Sequence, residues 1–217
     1  METAQIDSAA PRELPIVGGH LALDFANTVD DPFGPARHDH ASTYADLVRW
    51  SVRVGTVTDL QGSQLLRKAA RRLKDADATT DRAHRLRKTI NEIFGAIADG
   101  SPSVPRRWTR LRPFVADAFA DATLHDDGHG VYEWRWATGI DLAVVLHPIA
   151  ASAADLLVSA DLPRVSRCAR CPWLFLDNSK NHSRRWCDMN DCGKAQKIER
   201  YVARRAAARR RTRDLSS

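Results

Sequence analysis

The C-terminal part of the chain contains the stretch Cys168-Ala169-Arg170-Cys171 and, fifteen residues later, the stretch Cys187-Asp188-Met189-Asn190-Asp191-Cys192. With two residues between its cysteines, the first pair can turn both thiolates toward one ion. The fifteen intervening residues are enough for a hairpin that returns the chain to that ion. The spacing therefore predicts one structural zinc ion held by Cys168, Cys171, Cys187 and Cys192, with no open position for water. A module this small lacks a core of its own, so zinc would supply much of its folding energy.

Two other interpretations of the cysteines remain open. The four residues could be buried free thiols or form a pair of disulfides, and His182, which lies between the pairs, could replace one cysteine as a ligand. A secreted disulfide scaffold usually spreads its cysteines along the chain, whereas here all four fall between positions 168 and 192. This clustering favours a metal site over disulfides.

A strongly basic helix is predicted directly after Cys192. Residues 164–217 hold 15 Lys/Arg against 5 Asp/Glu, a formal charge of +10, whereas residues 1–163 carry −4 of the total of +6. Such segregation indicates a polyanionic partner for the C-terminal part. On the helix, an apolar face is expected to lie on the zinc module, and a basic stripe runs beside it. The face comprises Ile198, Tyr201 and Val202, and the stripe comprises Lys197, Arg200 and Arg204.

Six cations near the cysteines are candidates for contacts with phosphates or base edges. A zinc-anchored basic helix can enter a major groove or follow a phosphate backbone. The alternative is a solvated helix with a cationic tail that binds nucleic acid non-specifically. The candidates are Arg184, Arg185, Lys194, Lys197, Arg200 and Arg204.

Composition predicts a folded protein with one ordinary domain and a small appended module. The chain has 217 residues, of which 43% are hydrophobic, and contains no apolar run long enough to span a bilayer. Its first residues are polar and acidic, unlike a signal peptide, so the expected location is the cytoplasm. The predicted divisions are a disordered leader at 1–14, a first domain at 15–162, the zinc module with its basic helix at 163–207, and a basic tail at 208–217.

The first domain is predicted to be mainly helical. Leu21, Leu23 and Phe25 alternate with other residues after a Gly-Gly pair, which predicts a short strand. Helical periodicity follows at 44–52, 58–75, 80–99, 104–121 and 141–160, and period-two alternation predicts a hairpin at 123–137. Pro113 could kink or split its helix, and Pro148 could bend its helix or mark its true start. The fold class is therefore α+β, a mainly helical domain with short strands followed by a four-cysteine zinc finger and a basic helix.

Two polar residues in the predicted first strand, Asp24 and Asn27, are candidates either for structural anchors or for a ligand site. Positions three apart in a strand point to opposite faces, so capping or turn-anchoring groups are favoured over a catalytic pair. His38, Asp39 and His40 lie in a Pro/Gly-rich loop where alternate residues need not converge. No nucleophile elbow, phosphate-binding loop or dinucleotide fingerprint is present, so the chain is not expected to be an enzyme.

The sequence resembles a bacterial family, the CGNR zinc-finger proteins, in which the finger follows an N-terminal ABATE domain. The segment Leu23-Asp24-Phe25-Ala26-Asn27-Thr28 looks like the opening LDF-x-NT signature of that family. The tetrapeptide that names the family differs here, because Cys192-Gly193-Lys194-Ala195 stands where Cys-Gly-Asn-Arg is expected. The finger itself matches at Arg167-Cys168, Cys171, Phe175, Asp177, Ser179, Arg184-Arg185-Trp186-Cys187-Asp188-Met189 and Cys192-Gly193.

The resemblance implies a nucleic-acid-binding protein that regulates transcription, and relatives have also been described as RNA-binding. Our first hypothesis is a DNA-binding regulator whose N-terminal domain dimerises or senses a small molecule. The second is an RNA-binding protein in which Trp173 or Trp186 stacks on unpaired bases. The third is a protein-interaction module with structural zinc whose basic helix docks on an acidic partner.

Overall fold

The computed structural model of the chain describes residues 14–30, 38–101, 104–126, 128–137 and 141–214. Within these ranges the chain forms helices and three two-stranded antiparallel sheets, which confirms the predicted α+β class. The helices are α1 (Leu21–Ala26), α2 (Tyr44–Arg53), α3 (Asp59–Arg71), α4 (Leu73–Ala98), α5 (Val104–Ala120), α6 (His147–Val158) and α7 (Lys194–Asp214). The sheets pair β1 (Val29–Asp30) with β2 (His38–Asp39), β3 (Ala122–Asp126) with β4 (Tyr132–Trp136), and β5 (Val165–Arg167) with β6 (Leu174–Leu176).

Residues 21–26 form the helix α1, so the strand predicted from the alternation of Leu21, Leu23 and Phe25 is wrong. The helix packs against α4, α6 and β6, and its residues from Ala22 to Ala26 are all buried. An element covered on most sides has no polar face, and its periodicity therefore cannot distinguish a helix from a strand.

The starts of α2 and α3 are set by local hydrogen bonds. The Thr43 hydroxyl accepts from the Asp46 N–H at 3.1 Å, and the Asp46 carboxylate accepts from the Thr43 N–H at 2.9 Å. Thr58 and Gln61 make the same reciprocal pair at the start of α3. These capping boxes satisfy N–H groups that the first turn of a helix leaves free, and the predicted cap before residue 44 is confirmed.

The helix α4 is the central element and is longer than predicted, because it begins at Leu73 and not near Thr80. The hydroxyl of Thr79 donates to the carbonyl of Asp75, and that of Thr80 donates to the carbonyl of Ala76. Because both threonine hydroxyls bond to the preceding turn, they do not cap a new helix, and α4 continues through the position where the sequence predicted its start. Further along α4, a fully buried face packs against α1, α5 and β5: Leu86, Ile90, Ile93 and Phe94.

Two prolines act differently in the helices that follow. Helix α5 continues through the exposed Pro113. Pro148 lies in the first turn of α6, directly after a buried 3₁₀ turn at Leu142–Leu146. Proline is tolerated there because the N–H groups of the first helical turn have no acceptor within the helix. Pro148 therefore marks the true start of the helix.

The predicted hairpin at 123–137 is confirmed by β3 and β4, which pair Leu124 with Trp134 at their centre. Its base is fixed to α5, because the Trp136 indole N–H donates to the Ala118 carbonyl at 2.7 Å. Phe119 and Trp134 also meet edge to face, with ring centroids 5.1 Å apart. The hairpin is therefore held firmly at one end.

The strands β5 and β6 form a hairpin around the first cysteine pair and not between the two pairs, where the spacing predicted it. Leu174 and Phe175 are completely buried, and they belong to the same hydrophobic core as Phe25 and Phe94. The finger therefore shares its core with the helices, which a module of this size needs because it cannot bury enough apolar surface alone.

At the start of the described chain, Leu14 is buried in this shared core, although it is the last residue of the predicted leader. Residues 1–13 of that leader lie outside the described residues.

Candidate zinc centre and basic helix

The four cysteines converge at one point, although each comes from a different local structure. Cys168 directly follows β5, and Cys171 lies in the turn between β5 and β6. Cys187 follows an irregular segment, and Cys192 lies in a π-helical turn at Met189–Gly193. The four sulfur atoms all lie within 4.8 Å of one another, and no pair is bonded as a disulfide.

These sulfur positions fit a zinc ion. A tetrahedral site with Zn–S bonds of about 2.3 Å has sulfur atoms about 3.8 Å apart. The Cys187 sulfur lies 3.5 Å from that of Cys171 and 3.6 Å from that of Cys192. Four thiolates complete the coordination shell, so this centre can bind one structural zinc ion.

The pKa values of the four thiols show how they affect one another when no cation lies between them. Hydrogen bonding from the Cys171 thiol lowers the pKa of Cys168, and the same bond raises the pKa of Cys171 to about 12. Hydrogen bonds to Cys168 and Cys171 raise the pKa of Cys187, and burial raises the pKa of Cys192. Crowded thiols therefore resist losing further protons until a dication compensates the negative charge.

Backbone hydrogen bonds hold the loops around the cysteines. The N–H of Cys168 donates to the Trp173 carbonyl at 2.9 Å, and the N–H of Ala169 donates to the Arg185 carbonyl at 2.9 Å. Gly193 closes the second loop in a crowded place, because an added Cβ would lie 2.7 Å from the sulfur of the flexible Met189 side chain and 3.1 Å from the half-buried Trp186 ring. A larger residue at the second position of the Cys192-Gly193-Lys194-Ala195 tetrapeptide would therefore require Met189 to move and the Trp186 ring to shift slightly.

Arg184, one of the six candidate cations, belongs to the framework of the finger. Its guanidinium donates to the carbonyls of Trp186, Val17 and Cys187. It also lies over the Phe175 ring, 4.3 Å from the centroid. A half-buried guanidinium with these partners is suited to joining the finger to the start of the chain rather than to contacting a ligand.

The other five candidate cations are exposed. Arg185 stacks against the half-buried Trp186 at 5.4 Å from the ring centroid. On α7, steps of three and four residues place three of the cations on one side of the helix. The exposed cations of α7 are Lys194, Lys197, Arg200 and Arg204.

The apolar face predicted for α7 does not lie on the zinc module. Ile198 is 53% exposed, and Tyr201 and Val202 are each 58% exposed, so that prediction is wrong. Among residues 194–207 of α7, whose burial the structure describes, burial is instead confined to the first turn, where Ala195 and Gln196 are half-buried. The turn that carries Cys192 fixes the amino end of the helix, and an exposed ion pair between Glu199 and Arg170 of the finger follows in its second turn.

The two tryptophans proposed to stack on RNA bases differ in exposure. Trp173 is 9% exposed, and its indole N–H donates to the Val29 carbonyl at 2.9 Å. Its ring therefore packs in the core, and it cannot stack on a base without leaving that core. Trp186 is half-buried, with Arg185 on one side.

The side chains of Asp24 and Asn27 both form hydrogen bonds with backbone groups. Asp24 accepts from the Gly18 N–H at 2.7 Å, and burial raises the pKa of its carboxyl. The Asn27 amide donates to the Leu174 carbonyl at 2.8 Å and accepts from the Leu174 N–H at 2.9 Å. The Asn27 side chain thus bonds to both the N–H and the carbonyl of Leu174 in β6. These two bonds join the end of α1 to the finger across 147 positions in sequence.

A second junction joins the residue before Cys168 to α4, and the sequence analysis did not identify its role. The Arg167 guanidinium bonds to both carboxylate oxygens of Asp99, at 3.1 and 3.0 Å, and to the Pro172 carbonyl at 3.1 Å. It crosses α4 at Gly95, where an added Cβ would overlap the guanidinium. Glycine inside a long predicted helix was the available signal, because it often marks a close approach.

We expect Gly95→Ala to stabilise the protein in one background and to have little net effect in the other. Alanine favours the helix by about 1 kcal/mol over glycine, so with Arg167→Ala present it should raise the free energy of unfolding by about that amount. In the natural chain the new methyl displaces Arg167 from Asp99, which should cancel this gain. Urea denaturation of the two single variants and the double variant measures the coupling, expected to be about 1 kcal/mol. Equal effects in both backgrounds would show that the contact contributes nothing.

The same junction borders a cleft of about 1090 Å³ between α4 and the finger. Its lining includes Arg87, Lys88, Asp99, Arg167 and Trp173. Asp24 and Asn27 are not among its lining residues.

His38 and Asp39 form β2 and do not lie in a loop as predicted, and together with His40 they make contacts in the same region. His40 contacts the Asp30 carboxylate at 2.8 Å. Burial disfavours the charge of Asp39, but bonds from Arg87 at 2.7 and 2.6 Å outweigh it and hold its pKa below the usual value. Asp39 and Arg87 therefore form an ion pair that connects β2 to α4.

The fold and the site together define a class of protein, in which a helical domain carries a docked four-cysteine zinc finger that continues into a basic helix. The chain belongs to the ABATE family, described as "Putative stress-induced transcription regulator", whose model matches residues 19–160. The CGNR zinc-finger model matches residues 164–205. Both matches confirm the resemblance stated from the sequence, and no curated protein matches the chain. Among the described residues, no helix is long and apolar enough to cross a membrane.

Proposed function

We propose that the protein is a DNA-binding transcription regulator in which α7 contacts the duplex and zinc holds α7 in place. The observation that carries this proposal is the exposed row of cations on α7, which begins two residues after the zinc ligand Cys192. A helix fixed at one end and exposed beyond its first turn can be inserted in a groove without disturbing the core. The description of the ABATE family supports the regulatory role.

The contacts we assign to α7 and the finger are made by exposed cations. Lys197, Arg200 and Arg204 lie on one side of the helix and would contact phosphates or base edges. Lys194 and Arg185, nearer the zinc centre, would contact the backbone on the same approach. Arg184 has no part in this assignment, because its guanidinium is bonded within the finger.

The N-terminal domain would act on the finger through their shared junction. A small molecule bound in the cleft would touch Arg167, which directly precedes the zinc ligand Cys168. We assign no reaction to the chain, because Asp39 is committed to Arg87 and His40 to Asp30.

Binding to mixed-sequence duplex DNA across a salt series tests the proposal. We expect the zinc-loaded protein to bind with a steep salt dependence, and the variant Lys197→Ala/Arg200→Ala/Arg204→Ala to lose most of that affinity. Each lost phosphate contact should reduce the slope of log K against log salt by about 0.9, so the triple variant should lose up to about 3. Fluorescence anisotropy with labelled duplex measures both quantities.

The matched control removes three exposed cations from other helices, as Arg67→Ala/Arg71→Ala/Lys74→Ala. It changes net charge equally and should leave most of the affinity and slope intact. Equal losses in the two triple variants would contradict a specific role for α7. Preference for structured RNA would move the assignment to RNA, and absence of binding to either nucleic acid would favour an acidic protein partner.

A further inference from the structure

The β3–β4 hairpin carries large apolar side chains that remain substantially exposed in the described chain, although Trp134 contacts Phe119. Leu124 is 59% exposed, Tyr132 is 63% exposed and Trp134 is 41% exposed. Pairing places these three residues on one face, because Leu124 is opposite Trp134 and Asp126 is opposite Tyr132. Large apolar residues clustered on a fixed ribbon mark an interaction surface.

The hairpin also has strand edges without a backbone partner. Among the described strands, β3 and β4 pair with each other and with no third strand. A two-stranded ribbon is marginal by itself, and an unpaired edge is a template for another strand. The covering partner is therefore expected to add a strand.

The charges of β4 identify that partner. The strand reads Tyr132-Glu133-Trp134-Arg135-Trp136, and its two charged side chains are both more than half exposed. When two copies of this strand pair antiparallel about a two-fold axis at Trp134, Glu133 of each copy faces the partner's Arg135. The strand is thus complementary to itself in charge.

The same charges exclude the neighbouring registers. Residues directly opposite each other in an antiparallel pair point to the same face of the sheet. The two-fold axis must therefore lie beside a residue and not between two residues, so the alternative registers place it at residue 133 or at residue 135. An axis at residue 133 places the two Glu133 side chains opposite each other, and an axis at residue 135 does the same to the two Arg135 side chains. Like charges directly opposite destabilise a strand pair, whereas opposite charges and aromatic pairs stabilise it. The edge of β3 has no such pattern, since Thr123 and His125 flank its centre.

We propose that a second copy of this chain pairs along β4 to form a continuous four-stranded antiparallel sheet. Trp134 lies at the two-fold axis, Tyr132 lies beside the partner's Trp136, and two Glu133–Arg135 ion pairs cross the interface. The ion pair that Glu133 and Arg135 make within one strand, at 3.7 Å, is exchanged for pairs between copies. The dimer does not depend on the proposed function, although two linked basic helices would suit a DNA site with two-fold symmetry.

The test is the mass of the zinc-loaded full chain by sedimentation velocity across the micromolar range, without nucleic acid. We expect a reversible dimer that Glu133→Arg and Arg135→Glu each weaken at least about tenfold, because each change creates two like-charge contacts. The double variant Glu133→Arg/Arg135→Glu should regain the dimer. An equimolar mixture of the two single variants should also dimerise, because each cross-pair then has opposite charges.

Folding defects are separated from loss of the interface by zinc content and far-UV circular dichroism of each variant. Rescue in the mixture is a result that a merely structural role of these exposed residues would not give. Hydrogen exchange adds an independent reading, since β4 amides should become more protected as concentration rises. A monomer at every concentration, or single variants that dimerise as well as the natural chain, would overturn the proposal.

Discussion

Replacement of Cys187 by serine is expected to abolish stoichiometric zinc binding and to lower the free energy of unfolding by at least about 4 kcal/mol. Cys187 is buried, and its sulfur lies 3.5 Å from that of Cys171 and 3.6 Å from that of Cys192. Because β6 contributes to the shared core, the loss should spread beyond the finger and reduce the protection of α4. Zinc content by mass spectrometry, denaturation by urea and limited proteolysis measure the three effects.

His182→Asn is the matched control for this experiment. His182 is exposed and lies outside the four-cysteine cluster, with a φ of 48°. Asparagine tolerates that left-handed conformation better than alanine, so the change removes the imidazole with little strain. We expect a full complement of zinc and nearly unchanged stability. Zinc retained by Cys187→Ser, or lost from His182→Asn, would show that the ligand set is different.

Asn27→Asp is the second change expected to have a large effect, although it alters hardly any volume. Asn27 is 1% exposed, and its amide group donates to the Leu174 carbonyl. A carboxylate there loses the donor, leaves that carbonyl without its partner and buries a negative charge beside it. We expect the free energy of unfolding at neutral pH to fall by about 3 kcal/mol. Urea denaturation, with zinc content unchanged, measures the effect.

The destabilisation caused by Asn27→Asp should depend on pH. Burial beside a carbonyl should raise the pKa of the new carboxyl in the folded protein above its unfolded value. The destabilisation is then complete above the folded pKa and is relieved as pH falls through it, since a protonated carboxyl can donate to Leu174. Asn181→Asp, at an exposed position of the finger, should change stability by less than about 0.5 kcal/mol. An equally small effect of Asn27→Asp would mean that the junction does not stabilise the fold.

The parts of the fold that the sequence predicted well depend on local signals. The spacing of the four cysteines, the Thr43 cap and the alternation around Trp134 each require only neighbouring residues to be interpreted. The structure shows four converging sulfur atoms, a capping box and a hairpin at these places. Local chemistry was sufficient because each feature is completed within a few residues of chain.

The parts that were missed depend on contacts between distant segments. Helix α1 was predicted as a strand because its burial comes from α4 and α6, and nothing within six residues reveals it. The hydrogen bonds between Asn27 and Leu174 could not be predicted, since they depend on where β6 lies in the fold. The exposure of Ile198 was also missed. Apolar residues at helical spacing predict a buried face, but the finger leaves this face of α7 exposed.

The π-helical turn at Met189–Gly193 sets the direction in which the cations of α7 point. Each residue advances an α-helix by about 100° around its axis, and a π turn holds one residue more than an α turn. Shortening this turn by one residue would rotate Lys197, Arg200 and Arg204 by roughly a quarter of a revolution while leaving their number unchanged. The spacing between Cys187 and Cys192 is therefore also an angular setting, which fixes the azimuth of the basic face relative to the rest of the molecule.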